Sequence, residues 1–179
     1  STYVFSSPEA AERAFDVISD RAQPEPGEQI DLVYSRLNHP NAEILETQIV
    51  PLEKDATAAL VFNSGMAAIV TALFTFLKPG DTIVYTVPIY GGTQHLIRDF
   101  LPGWGVHGIP VRAGEGAALD EAIRTAKPAV VLIETPANPT LRMTDIRRAS
   151  RAAGNGAKPL VMVDNTLMGP TFQHPLATG

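Results

Sequence analysis

The sequence predicts an α/β protein with a mainly parallel sheet and helices on both of its faces. From residue 41 onward, short apolar runs such as "DTIVYT", "KPAVVLIE" and "KPLVMVD" alternate with stretches of helical periodicity. This alternation is typical of repeated βαβ units, and unbroken apolar runs are typical of strands covered on both sides. With 179 residues, 45% of them hydrophobic, the chain is long enough for one such domain with a core.

The individual elements follow in chain order. Ser7-Pro8 is a helix-start signal, so a helix is predicted to about Ser19, followed by the loop "QPEPGEQ" and an extended stretch, "DLVYSRLNHPN". The later elements are predicted as helix 41–54, strand 58–62, helix 65–77, strand 81–86, helix 91–100, strand 106–110, helix 119–126, strand 127–134, helix 144–153 and strand 158–164.

Composition excludes several classes of function. The net charge is −5 and the arginines are scattered, which argues against nucleic acid as a partner. The densest arginine group is interpreted as a solvated helix face; it comprises Arg142, Arg147, Arg148 and Arg151. There is no cysteine, and the four histidines lack metal-ligand spacing, so no metal site is predicted. No apolar run is long enough to cross a membrane and no signal peptide is recognisable, so a cytoplasmic location is expected.

Ligands of open α/β sheets gather beyond the carboxyl ends of the strands. Polar or small residues follow four of the predicted strands there: Ser64-Gly65-Met66, Tyr90-Gly91, Glu134 to Thr140, and Asp164-Asn165-Thr166. The lysines fall elsewhere, because Lys78, Lys127 and Lys158 precede strands at the opposite edge and Lys54 ends a helix.

Two short segments could bind a phosphate. Gly65 begins a helix directly after a strand, where free N–H groups and the helix dipole attract an anion; a simple serine cap is the alternative. Tyr34 and Arg36 stand two apart in a stretch predicted to be extended, so their side chains would point the same way and could clamp phosphate oxygens. A surface arginine beside a packed tyrosine is the alternative interpretation.

Asp164 follows the apolar run "LVMV" and would be costly to bury without a partner. It could cap a helix, or it could hold a cationic ring nitrogen. A phosphate cradle, a carboxylate for a ring nitrogen and an aromatic residue for stacking, here Tyr90, together describe a pyridoxal phosphate (PLP) site.

Six motifs then occur in order along nearly the whole chain: "YSR" with "EILE", "NSGMAAI", "KPGDTIV", "YGGT", "ETPANPT" and "VDNT". In these motifs the chain resembles the Cys/Met-metabolism family of PLP-dependent enzymes, which includes cystathionine γ-synthase and γ-lyase, methionine γ-lyase and the O-acylhomoserine sulfhydrylases. The resemblance implies the large domain of the aspartate-aminotransferase-like fold (fold type I).

The resemblance also implies how the cofactor phosphate is held. Ser64, Gly65 and Met66 would bind it at the helix start, with the backbone N–H groups of Gly65 and Met66 as donors. Tyr34 and Arg36 would reach the phosphate in a neighbouring subunit, so a homo-oligomer, a dimer of dimers, is expected.

For the cofactor ring, the resemblance implies that Tyr90 stacks on it and assists proton transfer as a catalytic residue. Asp164 would pair with the ring nitrogen and Asn138 with the phenolic oxygen. Glu134 also matches a motif but receives no role.

The implied activity is β/γ-elimination or γ-replacement on cystathionine-, homocysteine- or homoserine-type amino acids. An O-acylhomoserine sulfhydrylase and an atypical methionine γ-lyase remain alternatives. His39 and Asn41 depart from the residues usual in the family, which leaves substrate preference open, and Gly92 replaces the cysteine typical of methionine γ-lyases.

Residues 1–40 are predicted to form an arm that contacts the neighbouring subunit, and residues 41–179 the first part of the large domain. The lysine that binds the cofactor covalently and the small C-terminal domain are expected beyond Gly179. A lysine-free, non-catalytic PLP-binding protein is the alternative of a different class.

Overall fold

Four of the five predicted strands form one parallel sheet in the computed structural model, which describes residues 3–154, 156 and 159–178. They are β1 (Thr82–Val87), β2 (His107–Arg112), β3 (Val130–Glu134) and β4 (Leu160–Asp164), in the spatial order β2-β1-β3-β4. The chain passes from β1 to β2 on one side and places β3 and β4 on the other. The junction between β1 and β3 is therefore a topological switch point, where open α/β sheets bind their ligands.

Side chains alternate along the strands and create a core on each face of the sheet. On one face Ile83, Tyr85 and Leu132 pack with buried Leu73 and Ile97. On the other face the core is formed by Val84, Val131, Ile133, Leu119 and Ile123. Each fully buried aliphatic side chain contributes roughly 1.5–3 kcal/mol. Both faces of the sheet are covered, as the unbroken apolar runs predict.

Of the five α-helices described in this larger unit, the first four correspond to predicted helices and the last was not expected from the sequence. They are α3 (Gly65–Phe76), α4 (Gly91–His95), α5 (Gly116–Ala126), α6 (Ile146–Ala153) and α7 (Gly169–Phe172). The predicted helix 91–100 begins as α4 but continues as a π-helical turn, Leu96–Phe100, and a 3₁₀ turn, Leu101–Trp104. In the predicted arginine face, Arg142, Arg147 and Arg151 are exposed, whereas Arg148 pairs with Asp120 at 2.7 Å.

The chain divides into two units. One comprises Ser1–Pro51 and Thr57–Val61, and the other comprises Leu52–Ala56 and Phe62–Gly179. The smaller unit contains α1 (Pro8–Ile18) and α2 (Pro40–Ile49), each with proline at its first position. Ser7 caps α1 by accepting the Ala10 N–H at 3.1 Å, as predicted.

His39 has the corresponding capping role at α2, where its Nδ1 accepts the Asn41 N–H at 3.1 Å. The helix therefore starts one residue earlier than predicted. It also ends earlier, at Ile49, and is followed by a 3₁₀ turn, Val50–Leu52.

Three further sequence predictions are wrong. Residues 58–62 form no strand, because within the described residues no strand pairs with them, and the Val61 N–H donates instead to the Glu46 carboxylate at 2.8 Å. Tyr34 to Asn38 is a turn rather than an extended stretch, since the N–H groups of Leu37 and Asn38 both donate to the Tyr34 carbonyl. The run before Asp164, predicted to be buried, is only half-buried, because β4 is the outer strand of the sheet.

Candidate active site

A cavity of about 320 Å³ opens beyond the carboxyl ends of β1, β3 and β4, at the start of α3. Its lining combines polar groups with apolar side chains and consists of Ser64, Gly65, Met66, Ile69, Tyr90, Glu134, Asn138, Asp164, Thr166 and Leu167. The structure thus brings together six residues predicted to bind the cofactor. All lining residues belong to the larger unit.

The first turn of α3 presents backbone donors to this cavity. Ser64 is the N-cap, and its Oγ accepts the Ala67 N–H at 3.1 Å, so the capping interpretation is correct. Among the described residues, nothing accepts a hydrogen bond from the N–H groups of Gly65 and Met66. A Cβ added at Gly65 would meet no atom within 4 Å, so the backbone is open to a ligand at this point. Capping and anion binding are therefore compatible here.

Tyr90 follows β1 and its side chain is 48% exposed. Its ring lies tightly against the first turn of α4, because a Cβ at Gly92 would stand 2.8 Å from Tyr90 Cε1 and 3.0 Å from Met66 Sδ. Real Cβ atoms do not approach that closely, so any larger residue at position 92 would displace the ring. Gly92 thus permits the position that Tyr90 occupies.

Glu134 ends β3 and is buried, with 4% of its surface exposed. Its Oε2 accepts the Tyr90 N–H at 2.8 Å and its Oε1 accepts the Asn138 N–H at 2.5 Å. Its own N–H donates to the buried Thr86 hydroxyl at 3.1 Å. One carboxylate therefore joins the loops that follow β1 and β3.

Asp164 ends β4, in register beside Glu134. Its Oδ1 accepts hydrogen bonds from the Thr166 N–H at 3.0 Å and the Thr166 hydroxyl at 2.5 Å. Asp164 thus closes a turn rather than capping a helix. Within the part of the chain that the structure describes, its second carboxylate oxygen accepts no hydrogen bond.

Two residues not predicted from the sequence support this region: Thr166 is the partner of Asp164, and Gln173 holds the loop. The Gln173 amide donates to the Thr135 carbonyl and to Asn165 Oδ1, both at 2.9 Å. Asp-x-Thr is a recognisable turn signal that could have identified Thr166. No sequence signal identifies Gln173, since its partners lie on other segments.

Tyr34 and Arg36 come together in the smaller unit, although not through an extended backbone. The Arg36 guanidinium carbon lies 5.1 Å from the centre of the Tyr34 ring, which is a cation–π contact. Arg36 is exposed and Tyr34 half-buried. The exposed Arg36 guanidinium is accessible to solvent.

Two of the lysines that the structure describes lie before strands, at the edge opposite the cavity. Lys78 precedes β1 and Lys127 ends α5 just before β3, so both lie at the predicted opposite edge. Lys54 lies just after the 3₁₀ turn Val50–Leu52 and its N–H donates to His174 Nδ1 at 3.4 Å. Lys158, predicted to lie at the same edge as Lys78, falls outside the described residues.

Two further properties concern metals and membranes. In residues 3–154, 156 and 159–178, no three His, Cys, Asp or Glu side chains are grouped so that they could hold a metal ion. In the same residues, no helix has both the length and the apolar character that crossing a bilayer requires.

Two named proteins are similar in sequence to most or all of the chain. The chain is 36% identical over 181 residues to the L-methionine gamma-lyase of Fusobacterium nucleatum subsp. polymorphum, covering 100% of this chain and 42% of that protein. It is 38% identical over 146 residues to the cystathionine gamma-synthase of Mycobacterium bovis, covering 82% and 37%. The chain therefore spans less than half the length of these relatives.

A solved structure also resembles the fold. The cystathionine gamma synthase of Xanthomonas oryzae pv. oryzae, in complex with cystathionine, matches with a TM-score of 0.77 and 31% identity, covering 95% of this chain and 48% of that one. The model of the family described as Cys/Met metabolism PLP-dependent enzymes matches residues 1–179. The chain belongs to the Cys/Met metabolism PLP-dependent enzyme family.

Proposed function

We propose that the full-length protein breaks or exchanges a C–S or C–O bond at the β- or γ-carbon of a cystathionine-, homocysteine- or homoserine-type amino acid. The family is PLP-dependent. The observation that carries the proposal is the cavity at the topological switch point, where a helix N-terminus, an aromatic ring and a carboxylate converge. These groups suit the phosphate, the ring face and the ring nitrogen of a phosphorylated pyridine cofactor.

The chain's residues fit the phosphate end of PLP. The N–H groups of Gly65 and Met66 are available at the start of α3, and Gly65 leaves the approach to them open. The helix dipole adds a favourable interaction with a phosphate at this end. Ser64 supports the arrangement by holding the Ala67 N–H, which keeps the first turn in its helical geometry.

The residues also fit the ring end. When bound, PLP would supply an electron sink that weakens the bonds to the α-carbon of the amino acid. The second oxygen of Asp164 would hold the proton at the pyridine nitrogen. Tyr90 would cover one face of the ring, exclude water from it and move a proton through its hydroxyl. Asn138 would donate a hydrogen bond to the phenolic oxygen.

The substrate is proposed to be an amino acid of the cystathionine type, as in the Xanthomonas complex. Relatives are named for both methionine and cystathionine chemistry, so an O-acylhomoserine sulfhydrylase and a methionine γ-lyase stay within the proposal.

Tyr34 and Arg36 are proposed to bind the phosphate in a neighbouring subunit of a dimer of dimers. Residues 1–40 as an intersubunit arm and a cytoplasmic location also stay predictions.

The proposal is tested with full-length protein and PLP. The protein is incubated separately with cystathionine, methionine, and an O-acylhomoserine together with cysteine. Release of a 2-oxo acid or formation of a thioether from at least one mixture is expected. Transamination of aspartate with none of these products would contradict the proposal.

A further inference from the structure

The carboxylate of Glu134 is placed between the two loops that carry Tyr90 and Asn138. We propose that Glu134 is a positioning residue. It fixes the distance of the Tyr90 ring from the cofactor ring and the location of Asn138 relative to the cofactor. The inference rests on the proposed function, because it assigns Glu134 a part in the same site.

Burial and hydrogen bonding carry the first step. Glu134 is 4% exposed, and each of its oxygens accepts one backbone N–H, from Tyr90 at 2.8 Å and from Asn138 at 2.5 Å. A buried carboxylate is costly unless hydrogen bonds compensate it. The two N–H groups provide that compensation, so each loop is held at a defined distance from the end of β3.

The placement of the carboxylate is itself supported. The Glu134 N–H donates to the Thr86 hydroxyl on β1, and Thr86 is 1% exposed. The Tyr90 loop and the Asn138 loop are 44 and 4 residues from Glu134 in sequence. The Glu134 side chain therefore connects two loops, one distant and one close in sequence, at the switch point between β1 and β3.

The ring of Tyr90 cannot move closer to the start of α4 to compensate for a shift of its backbone, although its other side is exposed. It stands against the first turn of α4 near Met66 and Gly92, where no additional carbon atom fits. A displaced Tyr90 backbone would therefore displace the ring. An ångström-scale displacement of a positioning group is sufficient to change a reaction rate by about 100-fold.

Glutamine at position 134 is the informative substitution. Glu134→Gln keeps the length of the side chain but replaces one oxygen by an NH₂ group, which cannot accept a hydrogen bond. Either the Tyr90 N–H or the Asn138 N–H then faces a donor. The matched control is Asp81→Asn, because the Asp81 carboxylate also accepts a backbone N–H, that of Lys78 at 2.8 Å, but at the opposite edge of the sheet.

The experiment compares full-length wild type, Glu134→Gln and Asp81→Asn. Amide hydrogen exchange without PLP reports the two hydrogen bonds of Glu134 directly. Peptides that contain Tyr90 or Asn138 should exchange at least about 10-fold faster in Glu134→Gln only. With PLP, kcat should fall about 10- to 100-fold with a smaller change in KM, and the circular dichroism of the bound cofactor should change. Asp81→Asn should alter none of these.

Unchanged exchange at Tyr90 and Asn138 in Glu134→Gln would overturn the inference, whatever the activity. Faster exchange with unchanged cofactor dichroism and kinetics would also overturn it, since Glu134 would then be purely structural. If wild type lacks activity on every proposed substrate, the proposed function fails, while exchange and cofactor dichroism still decide the role of Glu134.

Discussion

The two carboxylate oxygens of Asp164 have different surroundings, and this difference gives a prediction at the scale of the residue. Oδ1 closes the turn with Thr166, and the other oxygen, which accepts no hydrogen bond within the described residues, is the one that we propose binds the ring nitrogen. Asp164→Asn keeps an oxygen acceptor for the turn but removes the charge. We expect an unchanged fold and a fall in kcat of roughly 100-fold or more, the size expected when a charge that stabilises the reacting centre is lost.

Steady-state kinetics and thermal unfolding of full-length protein check this prediction. Asp145→Asn is the control, because Asp145 caps α6 by accepting the Arg148 N–H at 3.0 Å outside the cavity. Equal kcat values for the two variants would show that Asp164 does not act on the cofactor.

Gly92 gives a steric prediction at the same scale. Gly92→Ala introduces a Cβ at 2.8 Å from Tyr90 Cε1, so the ring must shift, whereas Gly91→Ala on the same helix meets nothing within 4 Å. We expect weaker PLP binding, by about 10-fold or more, for Gly92→Ala only. Equilibrium dialysis of PLP against both variants measures this, and equal affinities would mean that the ring does not contact the cofactor.

At the scale of elements, the cap of α3 links stability to binding. Ser64→Ala removes the bond to the Ala67 N–H and should lower the free energy of unfolding by about 1 kcal/mol. It should also weaken PLP binding, because the first turn that presents Gly65 and Met66 loses its support. Ser7→Ala removes the equivalent 3.1 Å bond from α1 and should affect stability alone. Denaturant unfolding with PLP titration distinguishes the two, and equal PLP affinities would contradict the link.

The segment after α1 gives a pH-dependent prediction. The Arg13 side chain, bonded to Glu28 at 2.6 Å, and the Glu25 N–H lower the pKa of the Glu28 carboxyl from 4.5 to about 2. A carboxyl with a depressed folded-state pKa stabilises the fold above its unfolded pKa, and this contribution is lost as the pH falls through the folded value. Glu28→Gln should therefore lower Tm at pH 7, and its difference from wild type should shrink between pH 4.5 and about 2.

Thermal unfolding across that pH range measures the difference. Glu12→Gln on α1 is the control, because Glu12 makes no ion pair in the described part of the chain. A difference between wild type and Glu28→Gln that is constant from pH 7 to 2 would contradict the linkage.

Elements were predictable where the signal was local. Ser7-Pro8 and Ser64-Gly65 predicted helix starts because a cap and its first turn are adjacent in sequence. His39-Pro40 carries the same signal, but histidine is an uncommon cap, so the sequence predicts the start of this helix one residue too late. The predicted strand 58–62 is wrong because a strand also needs a neighbouring strand to pair with, and an apolar run alone does not provide one.

For the site, the topology of alternating strands and helices predicted that Tyr90, Asn138 and Asp164 would meet. The role of Glu134 was not predictable, because its partners are backbone groups that the sequence does not distinguish.

At the scale of the whole molecule, the proposed shared site makes Arg36 informative. Arg36 is exposed and contacts the Tyr34 ring, so Arg36→Ala should change stability little. If its guanidinium binds the phosphate in a neighbouring subunit, the same substitution should weaken PLP retention about 10-fold or more. Arg21→Ala, which removes another exposed arginine of the same unit, is the control.

Rates of PLP dissociation from both variants and the wild type test this prediction, and light scattering measures the oligomeric state. If Arg36→Ala retains PLP as well as the wild type does, Arg36 is only a surface arginine beside a packed tyrosine. A wild type that is monomeric yet retains PLP would contradict the shared site.

The parallel order β2-β1-β3-β4 has a consequence for how the protein acquires its site. Parallel neighbours are joined only through long crossovers, and the bonds that connect Glu134 to Tyr90 and to Thr86 span 44 and 48 residues. Such long-range contacts form slowly, after the local helices. A newly made chain would acquire helical content before it could recognise the cofactor, so cofactor capture would mark the completion of folding rather than guide its early steps.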